Sequence, residues 1–182
     1  MKRIYKITTI VLLSITMIIS SCKKEVDGCT DSSAMNYLSD ATSNDGSCIF
    51  AYDIAQGVWY FDSECSNPPF PGIEDLLPSS VDVEGEGNNS LSLTIESSIG
   101  ESVTVFSTID NDGNVDVDEQ VLFSIDTLGF QVPVLVSGNG TITSQDSGNL
   151  ELNYSANAVG SIELFDFTCK VNLFREEGAP AE

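Results

Sequence analysis

From Ala55 onward, apolar side chains recur at every second position. Leu91, Leu93 and Ile95 alternate with polar neighbours, as do Val103 and Val105, then Val121, Phe123 and Ile125. Val132, Val134 and Val136 follow, then Leu150, Leu152 and Tyr154, and finally Phe165, Phe167, Cys169, Val171 and Leu173. A period of two places each set on one face of an extended strand. Between the runs sit Glu86-Gly87-Asn88-Asn89, Asn111-Asp112-Gly113, Ser137-Gly138-Asn139-Gly140 and Asp146-Ser147-Gly148-Asn149. Gly, Asn and Asp tolerate the left-handed backbone that tight hairpin turns require. Short alternating strands joined by such turns predict an all-β domain over 51–176, a single antiparallel up-and-down meander. Pro68, Pro69 and Pro71 make the segment after the first strand irregular, and Gly72–Leu77 has room for one helical turn.

The cysteines tighten this expectation. There are five; one is explained by the N-terminus below, and four remain for two disulfides, with three possible pairings. Spacing favours Cys29 with Cys48 and Cys65 with Cys169. Parity agrees for the second pair. Trp59, Phe61 and Cys65 share one face of the first strand, and Phe165, Phe167, Cys169 and Val171 share one face of the last. Both thiols face the core, as they must if the first and last strands are neighbours. A bridge closing about 100 residues stabilises by roughly 4.7 kcal/mol in the chain-entropy model. It also ties the meander's ends together, which points to a barrel or a strongly curled sheet.

The N-terminus is built differently. Lys2, Arg3 and Lys6 precede the uncharged run ITTIVLLSITMII, which is shorter than the roughly 20 residues a spanning helix needs. A basic head, a short apolar segment and small residues before a cut describe an export signal. Ile19-Ser20-Ser21-Cys22 resembles the lipobox of bacterial lipoproteins. That resemblance implies removal of residues 1–21, acylation of Cys22, and a lipidated tether over 22–27 holding the chain to a membrane. No aspartate follows Cys22, which implies the outer membrane; whether the domain faces the periplasm or the outside stays open.

Three of the seven cations lie in the signal, leaving four against 28 acidic residues. Nucleic-acid phosphates need Lys and Arg, so that partner class is excluded. An acidic surface keeps a secreted protein soluble and attracts hard cations such as calcium. There is no histidine, which excludes Ser-His-Asp and Cys-His nucleophiles and removes the commonest zinc ligand. No motif singles out a carboxylate pair for acid–base work, so no catalytic residues are assigned and a non-enzymatic role is expected.

Residues 28–50 hold GCTDSSAMNYLSDATSNDGSC. This resembles a cysteine-bounded motif, GCTDxxAxNYxxxAxxxDGSC, of secreted and surface proteins in Gram-negative gliding bacteria. Ser32 replaces its usual proline. The loop has too few apolar residues for a core, so a disulfide must hold it. Asp31, Asp40, Asp45, Asn36 and Asn44 carry oxygens of the kind calcium takes, and a stapled spacer is the other reading.

A second aspartate cluster is sharper. From Thr108 to Glu119, alignment on Gly113 puts Asp110, Asp112 and Asp116 at calcium-loop positions 3, 5 and 9, with Glu119 at 12. Position 1 is a threonine, and the flanks read as strands rather than helices. A plain Asn-Asp-Gly hairpin turn fits the same residues.

Finally, Gly57-Val58-Trp59 on the first strand, the meander, and a last strand returning to the first resemble a lipocalin-like domain. The domain is also similar to small secreted domains of the same bacteria through Gly138-Asn139-Gly140-Thr141-Ile142, Leu150-Glu151-Leu152-Asn153-Tyr154 and Cys169. The arginine that packs on the lipocalin tryptophan has only Arg175 to correspond to. The resemblance implies a binding domain for a small apolar ligand, with Trp59, Phe61, Phe123, Phe165 and Phe167 around the cavity; the same residues fill the interior if the barrel is solid. The alternative is a structural or adhesive module contacting a surface protein. Residues 177–182 are expected to be a disordered tail.

Overall fold

The computed structural model describes residues 24–69, 79–96, 102–127, 129–158 and 162–175. The expected signal peptide with Cys22, the helical turn over 72–77 and the tail over 177–182 lie outside these. Among the described residues, no helix is long and apolar enough to cross a membrane.

Two short strands, β1 (Asp27–Gly28) and β2 (Ser43–Asn44), pair in parallel within the N-terminal module. A helix, α1 (Ala51–Ala55), leads into eight strands: β3 (Gly57–Ser66), β4 (Ser80–Gly87), β5 (Ser90–Glu96), β6 (Ser102–Ile109), β7 (Asn114–Thr127), β8 (Phe130–Ile142), β9 (Ser147–Ala158) and β10 (Ile162–Phe174). Each pairs antiparallel with the next, and β10 returns to β3, closing the barrel. The expected meander is therefore a closed barrel. Helix α1 is an addition to the sequence reading, because five residues are too few to show a helical period.

Alternation explains the core. Trp59, Val81, Val83, Leu91, Val105, Val115, Leu150, Tyr154, Phe167, Val171 and Leu173 are all buried in one cluster inside the barrel. The β4–β5 turn places Asn88 (φ 49°) and Asn89 (φ 62°) in the left-handed region, the pattern of a two-residue hairpin turn whose twist matches its strands. On β8, a Cβ at Gly140 would lie 2.0 Å from the Asn149 carbonyl oxygen. Only glycine lets β9 approach that closely.

One end of the barrel is closed by α1, whose Ala51, Ile54 and Ala55 are buried against the core. The N-terminal module adds to the closure. Cys29 is bonded to Cys48, and Met35 and Ile49 pack against the barrel core. The Met35 N–H donates to the Ile49 carbonyl at 2.8 Å, and the Asn36 side chain accepts from the Ile49 N–H at 2.8 Å. Asp31 and Asp45 accept from the N–H groups of Ser33 and Ser47, each at 2.9 Å. Those bonds hold both carboxyls below the usual range, side-chain bonding to the serines contributing most.

Candidate functional site

The interior comes first. Trp59 is 1% exposed. Its indole N–H donates to the Ala55 carbonyl at 2.7 Å, and the Arg175 guanidinium lies over the ring, 4.4 Å from its centroid. Arg175 Nη2 also donates to the carbonyls of Ile54 (2.8 Å) and Gln56 (2.5 Å). One side chain thus seals the end of β10 to α1 and stacks on the tryptophan at the start of β3. Gly57 sits at φ 97°, and a Cβ there would meet Arg175 Nη1 at 3.1 Å, so the glycine of Gly-x-Trp makes room for the arginine.

Phe61 and Phe165 are partly buried against the main core, and Phe167 is buried in it, stacked on Tyr154 at 5.1 Å. Burial holds the Tyr154 phenol neutral, its pKa pushed up to about 12. Phe123 departs from the expected wall: it is 48% exposed and packs against neither core cluster. The β7–β8 pairing slips between Val117 and Gln120 and again between Val121 and Phe123, so the two shifts cancel: Val121, between them, turns outward, while Phe123 returns to the face of its buried partner Val134 and is nonetheless half exposed there. Each slip inserts a residue and re-aims the side chains after it. Leu122, from the polar half of the expected alternation, packs partly against the core instead.

The interior beside Trp59 is tightly filled. A cavity of about 30 Å³ is lined by Trp59, Phe61, Leu91, Leu93, Ser107, Leu150 and their neighbours. It has room for about one water molecule. Ser107 is 5% exposed, and among the described residues its hydroxyl has no hydrogen-bond partner. The sequence reading missed this position; parity was the signal that could have found it, since Ser107 follows Val103 and Val105 in the alternation.

The four aspartate-loop residues are not gathered. Asp110 is the hinge of a hairpin turn: one oxygen accepts the N–H groups of Asp112 and Asn114, both at 2.9 Å, and the other accepts the Asn114 side chain at 2.8 Å. Bonding to the Asn114 side chain, then to its backbone, holds the Asp110 carboxyl below its usual range. Asp112 stands on the turn, Asp116 pairs across strands with Thr108 and Asn139, and Glu119 lies in the first β7 slip. Among the described residues, no three acidic or cysteine side chains converge as a metal group.

The outer wall carries two further features. A trough of about 800 Å³ crosses the strands near the closed end. Cross-strand register lines up Asn114, Thr141, Asn149 and Asn172 in one row, and Asp116, Asn139, Glu151 and Lys170 in the next. These alternate positions escaped the sequence reading because rows across a sheet depend on register. Above the trough is a seam. Among the described residues, strands β6 and β7 pair only at Thr108–Asp116 and Ile109–Val115. Higher up, the Gln120 carboxamide fills the gap, accepting the Phe106 N–H at 2.8 Å and donating to the Phe106 carbonyl at 2.7 Å.

No protein-family model matches the chain, and no curated protein matches it. Among solved structures it is similar to one described as EF1p2_mFAP2b bound to DFHBI. The identity is 11% and the TM-score 0.41, over 69% of this chain and 97% of that one. A likeness that loose bears on neither ligand nor function.

Proposed function

We propose that the chain is a lipid-anchored, non-enzymatic binding module of the outer membrane whose eight-stranded barrel engages its partner through its outer wall. The lipobox-like Ile19-Ser20-Ser21-Cys22 supports the anchor. The carrying observation is the contrast in volume among the described residues: a cavity of about 30 Å³ beside Trp59 against a trough of about 800 Å³ on the outer wall. Small-molecule pockets generally need about 300–1,000 Å³. Native mass spectrometry of the lipoprotein from its own host is the test. The expected mass is polypeptide plus acyl chains, with the acyl mass lost in Cys22→Ser. A co-purifying organic molecule that quenches Trp59 on rebinding would overturn the outer-wall reading.

That outcome would favour a second reading, an interior site for a small apolar ligand. Its support is the unpartnered Ser107 hydroxyl beside the Trp59 cavity. A buried hydroxyl without a partner loses about 1–3 kcal/mol of solvation, which one polar atom on an otherwise apolar guest would restore.

A further inference from the structure

We propose that the β6–β7 seam receives an extended peptide strand of a partner protein, rich in lysine and in apolar residues, along the free edge of β6. This rests on the outer-wall reading and names its partner class. Three observations converge on the seam.

The first is in the main chain. In an antiparallel ladder, successive residues turn their N–H and C=O groups alternately to the two neighbours. The Ile109 N–H bonds the Asn89 carbonyl on the β5 side, and Phe106 bonds Gln120 on the β7 side. The even-numbered Ser102 and Thr104 therefore present their main-chain groups to the seam, and among the described residues nothing there pairs with them. Gln120 occupies the one position below them. Its carboxamide supplies one donor and one acceptor, as a single residue of a neighbouring strand does. An incoming strand extends that pattern upward and takes its main-chain bonds from β6, the mode of β-augmentation.

The second is apolar exposure. Phe106 is 56% exposed, Val121 55% and Phe123 48%. All three lie on the two strands bounding the seam. Phe106 and Val121 stand on the outer face, and Phe123 on the inner face opposite Val134, so a strand inserted there covers the first two with one alternate set of its side chains and Phe123 with the other.

The third is charge. The β7 side carries exposed Asp116, Asp118, Glu119 and Asp126. Downstream of Lys24 the chain has two cations, Lys170 on β10 and Arg175 stacked on Trp59. The acids at the seam thus await a cationic partner. A second copy of this chain brings more acid to acid, so self-pairing is disfavoured.

Amide hydrogen exchange on the whole mature lipoprotein, with a soluble peptide alternating lysine with valine and phenylalanine, tests this. Slowed exchange at Ser102 and Thr104 is expected, weakening about tenfold as salt rises from about 0.05 to 0.5 M. A glutamate-for-lysine version of the peptide should give none. Gln120→Ala, which removes the stand-in carboxamide, should tighten peptide binding about three- to tenfold, the worth of a freed hydrogen-bonding pair. Protection confined to β9 and β10, unchanged exchange at β6, or equal binding of the glutamate peptide each overturns the seam. None of these touches the outer-wall reading, which falls only to a ligand retained in the native mass spectrum.

Discussion

Arg175 shows how one side chain can decide whether a barrel closes. It bridges the Ile54 carbonyl of α1 and the Gln56 carbonyl just past its end and stacks on Trp59, so it holds the first and last strands to the helix beneath them. Arg175→Ala is expected to destabilise by about 2–4 kcal/mol, combining charged hydrogen bonds with a cation–π contact. Urea unfolding followed through the single tryptophan measures it. Arg175→Lys should recover little, because an ammonium lacks the planar fork that reaches both carbonyls while stacking. The pairing was legible only through the lipocalin-like resemblance of Gly57-Val58-Trp59, which implies an arginine on that tryptophan and has Arg175 to offer for it. At Asp110 the relevant variable is pH. Its carboxyl is held low by Asn114, so its stabilisation is full above the unfolded value of about 3.9 and lost as pH falls through the folded one. Asp110→Asn should therefore be less stable than wild type at neutral pH, the gap narrowing below about pH 4 in acid-unfolding curves. A gap constant from pH 7 to 2 would contradict the turn's dependence on the ionised carboxyl.

At the scale of elements, register separates what the sequence disclosed from what it hid. The meander order and the directly opposed Cys169 and Cys65 follow from alternation and parity, whereas β4, with only Val81 and Val83 to alternate, was not among the runs read. The facing of β7 does not follow from them either. Val121 and Phe123 read as wall residues, yet the first of two slips within seven residues turns Val121 outward and Leu122 in, and the second returns Phe123 to the face of Val134, where it is still 48% exposed. A slip is a relation between two strands, so no periodicity within one of them can report it. The outer rows and the Gln120 bridge were hidden for the same reason. The Cys65–Cys169 bridge joins strands already paired over seven positions, so its native contacts survive its removal. Its effect belongs mostly to the unfolded chain. The double variant Cys65→Ala, Cys169→Ala should lose about 4–5 kcal/mol by denaturant unfolding, in proportion to its 104-residue separation. A loss under about 1 kcal/mol would mean that the reduced chain keeps its ends together without the bridge.

Over the whole molecule, the N-terminal module and the barrel work as one body. Composition presented residues 28–50 as a disulfide-held loop, with nothing to say whether it touches the domain. The structure sets Met35 and Ile49 against the barrel core, with Met35 beside Gly113 where the Ile142 N–H meets the Gly113 carbonyl at 2.9 Å. The module therefore caps the closed end, on the same side as α1. Met35→Glu should place a carboxylate against that apolar contact and lower barrel stability by about 1–3 kcal/mol. Thermal unfolding read through Trp59 is the right observable, because Trp59 belongs to the barrel and not to the module. A shifted Trp59 transition means that the module and barrel unfold together; an unmoved one means that residues 28–50 are a spacer.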